Sequence, residues 1–115
     1  MPTNKEIISL FISEKRTSNT KNLWSDGMFL YSYSLCIASI MFKKIIITDY
    51  TAPFNVSQTT SKHVSLLKRE CANQNIEHAI IEPYYQKFES KEEAVSGHRW
   101  YFREVLKGTF NGPMP

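Results

Sequence analysis

The segment Met28-Phe-Leu-Tyr-Ser-Tyr-Ser-Leu-Cys-Ile-Ala-Ser-Ile-Met-Phe-Lys-Lys-Ile-Ile-Ile-Thr48 decides the fold of this 115-residue chain. It is rich in aromatic and β-branched residues, which favour β-strands. Tight connections divide it into three runs: Met28–Tyr33, Cys36–Phe42 and Ile45–Thr48. A turn signal, Asp26-Gly27, precedes the first run. The segment therefore predicts an antiparallel meander of three strands.

Helical patterns lie on both sides of this meander. Thr3 and Glu6 fit a capping box ahead of apolar residues at helical spacing, which predicts a helix at about residues 4–14. Residues 59–73 predict a second helix with an apolar face. The polar residues 15–22 predict a loop.

The C-terminal part predicts one more strand and one more helix. Residues 77–82 read as a fourth strand that Pro83 ends. Ser90 and Glu93 form a second capping box, which opens a helix to about Leu106. Glycine and proline residues from about residue 108 predict a frayed tail.

These elements predict a small α+β fold, with a mainly antiparallel sheet and two to three helices. The sheet consists of the meander and the fourth strand, and the helix at 59–73 covers one of its faces. At this length we expect one domain over residues 1–115. The predicted core residues are Leu30, Ile37, Ile45, Ile47, Val64, Leu67, Cys71 and Ile80.

The composition indicates a folded protein without a catalytic signature. Apolar residues make up 42% of the chain, charged residues 22%, and the net charge is only +3. The three histidines lack metal-ligand spacing, and the chain has no C-x-x-C motif and no glycine-rich phosphate loop. We therefore expect no enzymatic activity, no cofactor and no metal.

The cysteines and the apolar runs predict the compartment. Cys36 and Cys71 lie within apolar patterns, which indicates buried free thiols in a reducing environment. No apolar run follows a basic start, and the longest one, Leu35–Phe42, is too short to span a bilayer. We expect a cytoplasmic protein that does not interact with membranes.

A hydroxyl-rich cluster followed by two basic residues begins the helix at 59–73. Thr59, Thr60 and Ser61 are candidate N-caps, which is the simplest interpretation. The alternative adds Lys62 and His63 to the free N–H groups of the first turn, which makes a site for a phosphate or an acidic group.

The same helix start offers an interface for nucleic acid. Its cations would contact phosphates, together with Lys68 and Arg69 on the following turns, and Tyr31 and Tyr33 would stack on bases. Further basic residues that could extend this face are Arg16, Lys21, Lys43 and Lys44. Solvated helix and turn positions explain the same residues without a ligand.

The last helix carries a candidate protein-binding patch. His98 falls on its apolar face, whereas Trp100 falls on the polar side near Arg103. Exposed Trp and Arg residues are typical of binding hot spots. Two alternatives stay open: Trp100 packs against the tail around Phe110, or it is exposed. Tyr84, Tyr85 and Phe88 either join the patch or fix a loop.

Several motifs in the middle of the chain follow one another in a recognisable order. They are Ser25-Asp-Gly27, Leu30-Tyr-Ser-Tyr33, Ile37-Ala38 and Thr59-Thr-Ser-Lys-His63. This order resembles a family of small uncharacterised phage proteins. The resemblance implies a phage or mobile-element origin and a small α+β fold, but no activity.

Taken together, these observations predict a non-catalytic accessory protein in the cytoplasm of a host cell. Its expected partner is a host protein or ribonucleoprotein complex, and its expected effect is inhibition of a defence or nucleic-acid-processing complex. Direct nucleic-acid binding through residues 59–69 is the alternative.

Overall fold

The computed structural model describes residues 3–18, 22–83, 88, 90–101 and 103. Within these residues it contains three helices and five strands, which confirms the predicted α+β class. In chain order, the elements are α1 (Asn4–Ile12), β1 (Leu23–Ser25), β2 (Phe29–Ser32), β3 (Leu35–Met41), β4 (Lys44–Thr48), α2 (Gln58–Asn73), β5 (His78–Ile81) and α3 (Lys91–Trp100).

The strands lie in the sheet in the order in which they occur in the sequence. Strands β1 to β4 pair antiparallel with their neighbours, and β5 pairs parallel with β4. The parallel pair requires a crossover, which α2 provides. The predicted meander is confirmed as β2 to β4, and the predicted fourth strand is β5. Strand β1 is an additional one, and it forms a hairpin with β2 across the Asp26-Gly27 turn.

Helices cover both faces of the sheet. Helices α1 and α2 pack together on one face, over a core that includes Phe11, Leu30 and Leu67. Helix α3 packs on the other face, over a smaller core that includes Phe29 and Ile46. Strands β2 to β4 are therefore buried on both sides.

Seven of the eight predicted core residues are buried, and Ile80 is not. The buried ones are Leu30, Ile37, Ile45, Ile47, Val64, Leu67 and Cys71. Ile80 is 41% exposed, so this prediction is wrong. Ile80 pairs with Ile47 and points to the same face, but β5 is the last strand of the described sheet and α2 packs over β4.

A segment of the predicted loop at 15–22 is ordered along the outer edge of β1. The Thr17 N–H donates to the Ser25 carbonyl, and the Ser25 N–H donates to Thr17 Oγ1, both at 2.8 Å. The fully buried Ser25 hydroxyl donates to the Lys15 carbonyl at 3.0 Å and accepts from the Gly27 N–H. Ser25 thus connects this segment, β1 and the following turn.

The starts of α1 and α3 have the predicted N-cap residues. Thr3 and Glu6 form the predicted capping box of α1. Ser90 is the N-cap of α3, and its hydroxyl accepts from the Glu93 N–H. The predicted frayed tail from about residue 108 lies outside the described residues.

Candidate functional site

The start of α2 is capped by a residue outside the predicted cluster. The N-cap is Ser57, whose hydroxyl accepts from the Thr60 N–H at 3.1 Å. The prediction of Thr59, Thr60 or Ser61 as N-cap is wrong because the helix begins at Gln58, one residue before the cluster. Lys62 is exposed, while Thr59 and Ser61 are partly buried.

His63 points into the core, away from the predicted anion site. It is 3% exposed, and its Nδ1 lies 2.7 Å from the hydroxyl of Ser32 on β2. The same hydroxyl is 2.9 Å from Thr60 Oγ1. Burial lowers the pKa of His63, which favours the neutral ring. The structure therefore separates His63 and Thr60 from the exposed Lys62 and gives them a role in packing α2 on the sheet.

The basic flank of α2 is partly neutralised. Lys68 Nζ lies 2.7 Å from Asp49 Oδ1, and Thr51 also donates to this carboxylate. Partial burial alone would raise the pKa of Asp49, but the bonds from Lys68 and Thr51 outweigh it and lower the pKa. Arg69 is exposed. Of the predicted basic residues at the start and flank of α2, Lys62 and Arg69 are exposed.

The predicted extension of a basic face is not assembled. Arg16 lies beside β1 at one end of the sheet, and Lys43 lies exposed at the turn between β3 and β4. Lys44 is buried and forms an ion pair with Glu77 at 3.2 Å. Lys21 lies outside the described residues.

Tyr31 is not available to stack on a base as predicted. It is 7% exposed, and its ring stacks on the ring of Trp24 on β1. The two ring centroids are 4.3 Å apart, and the interplanar angle is 15°. Burial raises the pKa of its hydroxyl, which lies 3.5 Å from Asp26 Oδ2. Tyr33 is 49% exposed at the turn between β2 and β3. No motif in the sequence indicates a role for Trp24, although a strand is expected before an Asp-Gly hairpin turn.

A second buried histidine lies on the opposite face of the sheet. His98 of α3 is fully buried, and its Nδ1 forms a hydrogen bond with the hydroxyl of Ser39 on β3. Its Nε2 lies 3.4 Å from Thr48 Oγ1 on β4, and the ring of Phe88 packs edge-on at 4.8 Å. Burial lowers the pKa of His98 to about 3. A neutral imidazole between two hydroxyl groups is satisfied in either tautomer, because each hydroxyl can donate or accept.

Both serine–histidine pairs have the hydrogen bond that activates a nucleophile, but a substrate has no access to either. Ser32 is 1% exposed and Ser39 is 0% exposed. The two thiols are equally enclosed: burial raises the pKa of Cys36 to about 12 and that of Cys71 to about 11. Within the described part of the chain, no three His, Cys, Asp or Glu side chains are grouped to hold a metal ion.

Of the two alternatives for Trp100 at the end of α3, the structure shows the exposed one. Trp100, the last residue of α3, is 48% exposed, and Arg99 before it and Arg103, three residues after the helix, are exposed as well. Residues Ala94, Gly97 and His98 form the opposite, buried face of the same helix. Tyr84 and Tyr85 lie outside the described residues, as does the tail around Phe110. Phe88 is 3% exposed, so it is a core residue and does not extend the patch.

A family model matches most of the chain. It is described as a family of unknown function (DUF8033), and it matches residues 3–83. The chain belongs to this family. The match extends from α1 to β5, so α3 and Trp100 follow the matched segment. No curated protein and no solved structure matches the chain. None of the helices in the described residues is long and apolar enough to cross a bilayer.

Proposed function

We propose that this chain is a non-catalytic accessory protein of a phage or mobile element, which binds a host protein or ribonucleoprotein complex through the outer face of α3. The observation that carries the proposal is the exposure of Trp100 between two exposed arginines. We call Arg99, Trp100 and Arg103 the α3 patch. The phage origin rests on the sequence resemblance, and inhibition of a defence or nucleic-acid-processing complex in the host cytoplasm is the role that it suggests.

The composition of the α3 patch favours a protein partner. Trp and Arg are enriched at hot spots, where a large apolar surface and a planar cation are desolvated together. Trp100 leaves nearly half of its surface in water, although the helix buries its other face efficiently. The two arginines make the patch cationic, so the partner surface is expected to be acidic.

An affinity pull-down from host lysate tests this proposal. The bait is the wild-type chain or the double variant Trp100→Ala, Arg103→Glu. Because both side chains are exposed, the variant should fold normally and lose the partner. A matched control is Val56→Ala, Lys15→Glu, which changes an apolar residue that is 61% exposed and an exposed cation elsewhere on the surface. The α3 patch is the wrong site if its variant captures the same partners as wild type.

Direct nucleic-acid binding through the start of α2 is the second candidate, and it rests on the exposed Lys62 and Arg69. His63 and Thr60 are engaged inside the protein, and Lys68 is paired with Asp49, so fewer cations remain for phosphates. A mobility-shift titration at low and moderate salt distinguishes the candidates, because phosphate contacts weaken steeply with salt. In this case Lys62→Ala should weaken binding to all sequences, and the absence of a shift at low salt excludes the candidate.

A further inference from the structure

A cleft of about 440 Å³ lies along the edge of β1, far in the sequence from the α3 patch. Its volume is within the range of small-molecule sites. Among the described residues, basic, aromatic, hydroxyl and carboxylate side chains line it: Arg16, Thr17, Ser18, Trp24, Ser25 and Asp26.

Trp24 forms a rigid aromatic wall of this cleft. One face of its indole ring packs on Tyr31, and its Nε1–H donates to the Tyr33 carbonyl at 2.8 Å. The ring is thus fixed before any ligand arrives, and the part that lines the cleft remains available. A fixed aromatic ring is a stacking surface for a planar ligand, and binding to it costs little conformational entropy.

Arg16 provides the cleft with a positive charge that is not neutralised locally. Its backbone bridges to Asp26, its side chain is exposed, and it takes part in none of the ion pairs between described residues. Guanidinium groups bind phosphate with two parallel hydrogen bonds. Thr17 Oγ1 accepts from the Ser25 N–H, so its own O–H can still donate to an anion.

The carboxylate in the cleft is already satisfied. Asp26 Oδ1 accepts from the N–H groups of Met28 and Phe29, at 3.0 and 2.8 Å, and Oδ2 lies 3.3 Å from Lys91 Nζ. Burial acts to raise the pKa of Asp26, but these bonds together lower it. Its negative charge is therefore balanced by Lys91, and the charge of Arg16 dominates the cleft.

We propose that this cleft binds a nucleotide, with the base stacked on Trp24 and the phosphate held by Arg16. The nucleotide is either free or part of a single strand of nucleic acid, since both present the same base and phosphate. The site lies at the β1 edge, whereas the proposed partner surface lies on α3, so either can fail without the other.

The test uses the fluorescence of Trp24. Trp100→Phe leaves Trp24 as the only tryptophan in the chain. In this background, a nucleoside monophosphate, the corresponding nucleoside and a short single-stranded oligonucleotide are titrated at low salt. We expect saturable quenching by the monophosphate or the oligonucleotide. Tighter binding of the monophosphate identifies a free nucleotide, and tighter binding of the oligonucleotide identifies a strand.

Two substitutions in the same background test the assignment of the phosphate. Arg16→Ala should weaken binding of the phosphate-bearing ligand by about tenfold or more, because it removes a charged hydrogen-bond donor. Lys15→Ala removes a neighbouring exposed cation that does not line the cleft, and should leave affinity unchanged. Arg16 and Lys15 are both exposed, so both variants should fold. The proposal is overturned if neither ligand quenches saturably, or if Arg16→Ala binds as tightly as Lys15→Ala.

Discussion

Burial of the neutral His98 ring should make the folded protein less stable in mild acid. The ring is buried between Ser39 and Thr48, and burial lowers its pKa from about 6.5 to about 3. Between these values, the unfolded chain binds a proton that the folded chain does not accept. The free energy of unfolding therefore falls as the pH falls below 6.5, and this loss continues to about pH 3.

The magnitude follows from the size of the shift. Each pH unit within the window costs about 1.4 kcal/mol, so His98 alone removes about 2 kcal/mol between pH 7.5 and pH 5. His63, whose pKa is also lowered by burial, adds to the loss with the same sign. The pKa values of Asp26 and Asp49 are lowered as well. Their contribution to the free energy of unfolding is lost only as the pH falls below their ordinary pKa of 3.8, which is outside the range from about pH 7.5 to pH 5.

Urea unfolding followed by circular dichroism at pH 7.5 and pH 5 measures this effect. In His98→Gln, an amide replaces the ring as a partner for the two hydroxyl groups but does not titrate. We expect this variant to be less stable at pH 7.5, by about 1–3 kcal/mol, because the amide fills the site imperfectly. Its further loss at pH 5 should be smaller than that of wild type by about 2 kcal/mol. If the variant loses as much stability as wild type, His98 does not resist protonation and the assignment of its buried role is wrong.

Two other predictions concern the cap of α2 and the thiols. Ser57→Ala should lower the free energy of unfolding by about 1 kcal/mol, because the Ser57 hydroxyl accepts a hydrogen bond from the Thr60 N–H in the first turn of α2. Thr59→Ala should have a smaller effect, since Thr59 is not the N-cap. Equal losses in urea unfolding would contradict this cap. Cys36 and Cys71 should resist alkylation by iodoacetamide at pH 8 until urea unfolds the chain, since both are buried with raised pKa values; mass spectrometry counts the added groups, and fast labelling of the native protein would refute their burial.

The sequence predicts the centre of the fold better than its edges. The run of isoleucines at 45–47 is compatible with a strand buried on both faces, and β4 confirms this. Ile80 has the same local pattern, but its exposure depends on the position of β5 in the sheet, which local pattern does not encode. Strand β1 is only three residues long, which is too short for a period-2 signal, although the Asp-Gly turn after it calls for a pairing partner.

The sequence predicts the exposed face of α3 but not the cleft at β1 or the position of His63. The helical phase of α3 correctly separates the buried His98 from the exposed Trp100, because one helix with one buried face obeys a simple period. The sequence does not predict the cleft at β1, since the cleft depends on Arg16 lying against Asp26, ten residues away in the chain. His63 likewise depends on Ser32, a partner 31 residues away in the chain, which no local motif indicates.

The segment that covers β1 also bears on how this protein behaves at high concentration. The outer edge of an antiparallel sheet is a template on which another chain can add a strand, and proteins that leave it open tend to aggregate. Residues 15–17 of the same chain occupy that edge. The backbone of Ser25 bonds Thr17, and the hydroxyl of Ser25 bonds the Lys15 carbonyl. Replacement of Ser25 by alanine keeps both hydrogen bonds between its backbone and Thr17 but removes the hydroxyl that bonds Lys15 and Gly27. It should therefore loosen the start of this segment at the edge of β1, next to exposed Met28 and Tyr33, and make intermolecular β-pairing there easier.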